Sequence, residues 1–324
     1  MRYFIRRALH AIFLLLGVSL LTFLFSALAP GNYFDEMRLN PKISAETVTA
    51  LRAQYQLDRP FPVRYAHWLN AVAHGQMGLS SAYNSPVAPL LWARARNTLL
   101  LTVTATLLAW LLALPLGVWS AARFGRAPDR VISWTTATLL VIPDLVLALG
   151  LLIMAVRTGW FPTGGLASVG FNELSPLHKL RDIASHMTLP VIALVLAALP
   201  TLVRHVRASV AEVLEAPFLR AAVGHGLADR KLLYGYALRA AANPLISVFG
   251  FSIGTLLSSS LLVEVVMSWP GLGPFLLEAI LARDLYVVIG GVLLSMIFLV
   301  AGNLFADVLL YWADPRIRTT ASAK

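Results

Sequence analysis

Residues 285–306 read LYVVIGGVLLSMIFLVAGNLFA, an apolar run that contains no formally charged side chain. At a rise of about 1.5 Å per residue, a helix of this length crosses the ~30 Å hydrocarbon core of a bilayer. Backbone groups in lipid must form hydrogen bonds within their own segment, so a run this long is predicted to be a helix and not a barrel strand. The stretch indicates an integral membrane protein.

Five further apolar runs repeat this pattern. They cover residues 8–29, 97–122, 131–156, 187–203 and 240–263. Only one formal charge, Asp144, lies within the six stretches, and Pro190 and Pro200 interrupt the shortest of them. The predicted fold is an all-α integral membrane protein with six transmembrane helices.

The composition excludes several classes of protein. The chain has 324 residues, of which 58% are hydrophobic and 13% charged, with a mean hydropathy of +0.73. A soluble globule, a disordered chain and a coiled coil are all more polar than this. The absence of cysteine excludes disulfides, thiolate metal sites and a cysteine nucleophile. The net charge of +10 lies between apolar runs, which indicates membrane lipid and no nucleic acid as the partner.

The excess positive charge fixes the predicted orientation. It falls on one side of the membrane, in residues 2–7, 123–130, 204–239 and 314–324, whereas the other segments carry equal numbers of basic and acidic residues. The positive-inside rule makes the basic side cytoplasmic, so both termini are expected inside. The first run is longer than the core of a secretion signal, and Pro30 follows its end, so it is interpreted as a retained helix.

These spans divide the chain into four parts. We expect an N-terminal transmembrane helix in residues 1–30, an extracytoplasmic segment of short cap helices in 31–96, and a core of five transmembrane helices in 97–312. A cytoplasmic tail occupies 313–324. The core contains a long inward loop, residues 204–242, which predicts a short helix after Pro217, a glycine turn and a second helix capped by Asp229.

The inward loop carries the first resemblance to a known family. Arg220-Ala221-Ala222, three residues and Gly226 resemble the "EAA" loop of ABC importer permeases, with Arg220 in place of the usual Glu. Other segments resemble the dipeptide, oligopeptide and nickel permease family, specifically its B-type subunit, in the same order along the chain. These are Leu28-Ala29-Pro30-Gly31, Leu57-Asp58-Arg59-Pro60, Asn97-Thr98-Leu99-Leu100, Val263-Glu264, Trp269-Pro270-Gly271-Leu272-Gly273 and Asp314-Pro315-Arg316-Ile317-Arg318.

The resemblance implies a permease subunit of an importer in a bacterial inner membrane, with peptides as the first expected substrate and nickel chelates or another small solute as the alternative. It implies a second homologous permease, two ATPase subunits that bind ATP and Mg, and an extracytoplasmic binding protein as partners. The implied ATPase-coupling residues are Arg220, Ala221, Ala222, Gly224, His225, Gly226 and Asp229.

Other residues are candidates for the translocation path or its gate. Asp144 is a costly charge inside a span, and Glu264 precedes a turn-dense loop near the predicted outer surface. That loop supplies four further gate candidates, namely Trp269, Pro270, Gly271 and Gly273. Asn303 and Asp307 are four residues apart, so they share a helix face and are expected to serve helix packing.

Two other classes of function stay open at this point. An ion-coupled secondary transporter would use Asp144 and Glu264 to bind protons or cations, and a membrane scaffold would need neither acid. The chain shows no matching halves of the kind such carriers have, and its histidines lack metal-ligand spacing. Nucleotide-binding, zinc-protease and serine-hydrolase motifs are absent, so we expect no catalytic residues and no cofactor in this chain.

The predicted topology is testable by thiol labelling, since the chain has no cysteine of its own. A cysteine in place of His225 should react with an impermeant maleimide only from the cytoplasmic side. A cysteine in place of Asn84 should react only from the outside. The opposite pattern would refute the assignment of sides.

Overall fold

The computed structural model describes residues 2–28, 44, 46, 48–50, 59–224, 227–228 and 230–313. These residues form a largely helical chain, as predicted. The α-helices are α1 (Arg2–Leu28), α2 (Phe61–Ala73), α3 (Val87–Ala122), α4 (Ala127–Val141), α5 (Asp144–Thr158), α6 (Pro176–Leu214), α7 (Pro217–Gly224), α8 (Ala242–Val266), α9 (Leu272–Leu281) and α10 (Leu285–Ala313). A 3-10 turn covers Phe171–Glu173, and a π-helix, Lys231–Ala237, continues into an α-helical turn, Leu238–Ala240.

Among the described residues, five helices are long and apolar enough to cross a membrane: α1, α3, α6, α8 and α10. The pair α4 and α5 passes the same test jointly, but the two helices meet at a bend of 96°. Counting this pair as one span gives the six that the sequence predicts. The expectation of a continuous helix over residues 131–156 is wrong.

The bend has a local cause at Pro143. A proline inside a helix lacks the N–H needed for the ladder, and its ring pushes the preceding residue out of the helical region. Ile142 accordingly has φ −79° and ψ 119°, which ends α4. Asp144 therefore begins α5, and the interpretation that it lies near the middle of a helix is also wrong.

Two helices extend well beyond their predicted apolar runs. Helix α3 begins at Val87 instead of Asn97, and α6 spans Pro176–Leu214 with Pro190 and Pro200 inside it. Hydropathy detects the part of a helix that lies in lipid. The amphipathic turns at the ends of a helix pack against protein, so hydropathy does not detect them.

The chain divides into two compact units, of which the first contains residues 1–98 and 270–300. Its apolar core groups Phe23 of α1, Trp68 of α2, and Ile289 and Leu293 of α10. Helix α2 is one of the short helices predicted for residues 31–96. The amphipathic spacing of Val48, Leu51 and Tyr55 predicts another, which lies partly outside the described residues, although Val48 is buried.

A small antiparallel hairpin in this unit is absent from the sequence prediction. Strand β1 (Leu79–Ser80) pairs with β2 (Ser85–Pro86). The buried carboxylate of Asp284 holds the hairpin, because its Oδ2 accepts hydrogen bonds from Ser80 Oγ at 2.5 Å and from the Ala82 amide at 3.0 Å. Beside it, partial burial and the hydrogen bond that Tyr83 donates to Glu278, 2.8 Å long, raise the pKa of Tyr83.

The second unit contains residues 99–269 and 301–324. Helix α6 lies at its centre and packs against α4, α5 and α8. Its buried side chains, including Leu194 and Val206, belong to one large apolar cluster. Helix α3 lies close to α6 at Gly117, where an added Cβ would lie 2.5 Å from the Cβ of Val206.

This close approach predicts a different effect for two glycine-to-alanine substitutions in membrane-spanning helices. Gly117→Ala would overpack the α3–α6 interface, which costs about 1–3 kcal/mol and lowers the melting temperature by about 3 °C or more. Gly150→Ala is the matched control, because no atom lies within 4 Å of its added Cβ. Thermal unfolding in detergent, followed by size-exclusion chromatography, measures both; equal melting temperatures would contradict the packing.

Candidate functional site

A cavity of about 430 Å³ lies in the second unit, where α5 begins beside α6 and α8. Seven of its thirteen lining residues have polar side chains, although the helices that supply them are largely apolar. The lining residues are Asp144, Ala197, Ala198, Thr201, Leu202, His205, Ser247, Val248, Phe251, Ser252, Thr255, Leu256 and Ser259.

Asp144 occupies the edge of this cavity at the first turn of α5. Its Oδ2 accepts a hydrogen bond from the hydroxyl of Ser259, 2.9 Å away on α8. The helix N-terminus carries a partial positive charge, which stabilises a carboxylate at this position. The proline bend therefore places an acid at membrane depth beside a polar cavity, and the side chain is only partly buried.

Helix α8 presents a mixed polar stripe on its exposed face. Ser247, Phe251, Thr255 and Ser258 follow each other at helical spacing and are all exposed. The buried side of the same helix carries apolar residues such as Leu256 and Val263. The hydroxyls of Ser247, Thr255 and Ser258 donate to backbone carbonyl oxygens of the preceding turn, and they leave a polar surface on this side of the helix.

A second cavity, of about 540 Å³, continues along α6 toward its C-terminal end. It shares Thr201 and His205 with the first cavity. Its other lining residues are Ser133, Thr136, Ala137, Arg204, Arg207 and Ala208. The two adjoining cavities are together called the groove; Asp144 lines the first of them, and Arg204 and Arg207 line the second.

The remaining path candidates lie elsewhere. The side chain of Glu264 is fully buried in the second unit and lines neither cavity. Trp269 is also fully buried, and its amide donates to the carbonyl oxygen of Glu264 at 2.9 Å. The structure therefore brings these two residues together, and it separates Glu264 from Asp144.

The rest of the turn-dense loop belongs to the first unit. Gly271 and Gly273 are buried, and the side-chain amide of Asn97 donates to the carbonyl oxygen of Pro270 at 2.8 Å. The amide of Leu272 donates to Thr98 Oγ1, also at 2.8 Å. This part of the loop is fastened to α3 at Asn97 and Thr98.

The inward loop contains the predicted short helix, α7. Leu219 anchors it in the apolar cluster of the second unit, whereas Phe218, Ala221 and Gly224 are exposed, and Ala222 is half-buried. Arg220 belongs to the same helix. His225, Gly226 and Asp229 lie outside the described residues. The predicted second helix is present from Arg230 onward, and its first part is π-helical where a regular α-helix was expected.

The two packing candidates lie on α10. Asp307 is buried and Asn303 is exposed. An added Cβ at Gly250 of α8 would lie 3.7 Å from Asn303 Oδ1, which places Asn303 near the crossing of α8 and α10. A role of both residues in helix packing stays a prediction.

Several polar residues of the groove escaped the sequence reasoning. The run Ser258-Ser259-Ser260 inside an apolar helix is a signal that could have identified α8 as the polar wall. An ion pair between Asp129 and Arg207 had no such signal, since the residues lie far apart in the chain and each was counted only as a cytoplasmic charge. Within the described residues, no three His, Asp or Glu side chains group as a metal site.

Comparison with known proteins shows full-length similarity to transport proteins. The family model "Binding-protein-dependent transport system inner membrane component" matches residues 113–319, and the model of the N-terminal part of such membrane components matches residues 1–105. The oligopeptide transport system permease protein AppB of Bacillus subtilis is 35% identical over 97% of this chain and 98% of its own length.

Two other relatives show similar coverage. The dipeptide transport system permease protein DppB of Escherichia coli K12 is 33% identical over 98% of this chain and 99% of its own. The glutathione transport system permease protein GsiC of Salmonella choleraesuis is also 33% identical, with the same coverage. Among solved structures, an inward-facing MetNI methionine ABC transporter matches with a TM-score of 0.55 and 19% identity, over 69% of this chain and 96% of that one, which supports the fold.

Water in the groove can be tested with single cysteines in the purified protein. Thr255→Cys should react with a water-soluble maleimide about tenfold faster than Leu111→Cys, because thiolate formation needs an aqueous environment. Leu111 is a matched control, being exposed on α3 but lining neither groove cavity. Fully buried Ser260→Cys should not react. Equal rates at positions 255 and 111 would refute an aqueous groove.

Proposed function

The chain belongs to the family of binding-protein-dependent transport system inner membrane components, and we propose that it is the permease subunit of an ATP-driven peptide importer in a bacterial inner membrane. The observation that carries the proposal is the polar groove beside the bent pair α4 and α5. It lies in a chain that is similar to peptide permeases along nearly its whole length. Both termini are assigned to the cytoplasm, on the basis of the charge distribution.

Peptides suit the chemistry of the groove. A peptide brings a cationic amino terminus, a carboxylate and several amide groups, and the groove offers a carboxylate, hydroxyl groups and the side chain of Arg204. Asp144 attracts the ammonium group, and the hydroxyls of α8 exchange weak hydrogen bonds with the peptide backbone. Contacts of this kind lower the cost of passage without holding the substrate so tightly that release stalls.

Energy comes from partner subunits in this proposal. Two ATPase subunits hold ATP and Mg, and this chain contributes no catalytic residue. The exposed face of α7, with its small residues Ala221 and Gly224, sits in a groove of one ATPase. Arg220, Ala222, His225, Gly226 and Asp229 complete the coupling segment, as the resemblance to the EAA loop implies.

The other partners follow from the surfaces. A second, homologous permease covers the mixed polar stripe of α8, and the groove becomes one wall of a path between the two subunits. An extracytoplasmic binding protein delivers the substrate at the outer face. We assign the loop of Trp269, Pro270, Gly271 and Gly273 to outer closure of the path, and the complete burial of Glu264 supports a structural role for that acid.

Uptake by reconstituted complexes tests this function. The complex, purified with its partner subunits and its binding protein, should import a labelled di- or tripeptide only when ATP is present. Asp144→Asn should lower the uptake rate about tenfold while the subunits still assemble, because it removes the charge that faces the path.

Glu264→Gln is the matched comparison, since it changes an acid that is buried instead of exposed to the groove. It should lower yield and uptake in parallel. The path assignment is wrong if Asp144→Asn imports at the normal rate, and the peptide assignment is wrong if the wild-type complex imports no peptide.

A further inference from the structure

The carboxylate of Asp129 accepts four hydrogen bonds in the second unit. Its Oδ1 accepts hydrogen bonds from Ser120 Oγ at 2.5 Å and from Arg207 Nε at 2.6 Å. Its Oδ2 accepts from the amide of Gly125 at 2.8 Å and from Arg207 Nη2 at 2.9 Å. Only 3% of the residue is exposed. Both oxygens are therefore saturated, and the carboxylate has little freedom to move.

Arg207 is held on two sides. Its guanidinium binds the carboxylate through two parallel N–H groups, a geometry that fixes distance and orientation together. Its Cζ also lies 4.6 Å from the centre of the Phe124 ring, within the range of a cation–π interaction. A lysine could supply the charge but not this two-point geometry.

The network connects three helices at one level. Ser120 lies near the end of α3, Phe124 and Gly125 form the following turn, Asp129 lies in the first turn of α4, and Arg207 belongs to α6. At the neighbouring position, an added Cβ on Gly117 would lie 3.1 Å from the backbone nitrogen of Arg207. Close packing and a bidentate ion pair thus hold α3, α4 and α6 together as one local body.

This body is connected along the chain both to α7 and to the Pro143 bend. Helix α7 follows α6 after two residues, and Leu219 of α7 belongs to the same apolar cluster as Val206 and Val210 of α6. In the other direction, α4 continues to the Pro143 bend, beyond which Asp144 meets the groove. A displacement of α7 that moves α6 can reach α4 directly through Arg207 and Asp129.

We propose that the Asp129–Arg207 pair, together with Ser120, Gly125 and Phe124, is the positioning contact that transmits movement of α7 to the α4–α5 bend. The proposal rests on the proposed function, because it presupposes an ATPase that moves α7. The pair stays closed during transport and makes the three helices move together. Neither residue touches substrate through this contact, so both are positioning residues.

The alternative is that the pair only stabilises the fold. Variants of the pair can separate the role in transmission from the role in stability, because the two side chains differ in exposure. Asp129→Asn keeps the shape of the side chain and removes its charge, and the Arg207 side chain is 28% exposed, so its charge retains access to water. Loss of the pair should therefore weaken the connection between the helices more than it weakens assembly.

The test measures how many peptides the reconstituted complex imports for each ATP hydrolysed. Asp129→Asn should assemble normally and hydrolyse ATP, yet import about tenfold fewer peptides per ATP, which is within the usual range of allosteric coupling. Arg207→Lys should give an intermediate ratio, because it restores charge without bidentate geometry. Gly226→Val in the proposed coupling turn serves as the reference for an uncoupled complex.

Asp182→Asn is the matched control. Asp182 also fastens a loop to α6, through hydrogen bonds from the amide and hydroxyl of Ser168 at 2.8 and 2.7 Å, but it lies near the opposite end of that helix. Its variant should keep the wild-type ratio. If Asp129→Asn also keeps that ratio, or if it fails to assemble and Arg207→Lys fails equally, the pair is structural and the proposal is overturned.

A second measurement needs no transported substrate. In complexes that carry Thr255→Cys, addition of ATP should change the rate of maleimide labelling, and Asp129→Asn should abolish that change while Asp182→Asn retains it. An unaltered ATP response in Asp129→Asn overturns the proposal. A wild-type complex that imports no peptide but shows the ATP response refutes the peptide assignment alone, so the two failures are distinguishable.

Discussion

The demand of a lipid environment for internally satisfied backbone hydrogen bonds controls this architecture. A helix that meets the demand can face lipid, whereas a helix that breaks must turn its exposed groups toward protein or water. The break at Pro143 is the place where the second unit departs from continuous spans, and the polar groove with Asp144 lies at that place. The bend thus determines where Asp144 lies, because a continuous helix would leave no helix N-terminus for the carboxylate.

Four acids in the described part of the chain differ in how far packing and hydrogen bonds leave the carboxylate accessible. Asp284 and Asp129 are both buried, and both bind several donors, which fasten a hairpin in one case and three helices in the other. Glu264 is fully buried away from the groove. Asp144 is bound by the Ser259 hydroxyl, remains partly exposed and lines a cavity, so it alone has the access that a substrate requires.

The sequence predicted the class of fold because hydropathy records which residues face lipid, and lipid contact dominates a membrane chain. It located α7 because proline and glycine punctuate the chain there. It could not predict that residues 131–156 break at Pro143, since Pro190 and Pro200 lie inside an unbroken α6. A proline inside a helix leaves the carbonyl oxygen four residues earlier without its usual N–H donor. Whether the helix ends there depends on the other groups that can bind this oxygen. Nor could it distinguish Asp144 from Glu264, whose exposure is set by packing between distant segments.

In the proposed mechanism, the Asp129–Arg207 contact and the cavity beside Asp144 impose opposite physical requirements on neighbouring parts of the second unit. Transmission of movement needs helices that cannot slide, which the saturated carboxylate of Asp129 and the close approach at Gly117 provide. Passage of a substrate needs surfaces that can separate and admit water, which hydroxyl-bearing α8 and the bend provide. A straight helix joining these regions would carry the rigidity of one into the other. Pro143 interrupts the chain between α4 and α5. The part of α4 that Asp129 holds can therefore move as a body while α5 changes its angle. The break in the helix thus permits one chain to meet both requirements.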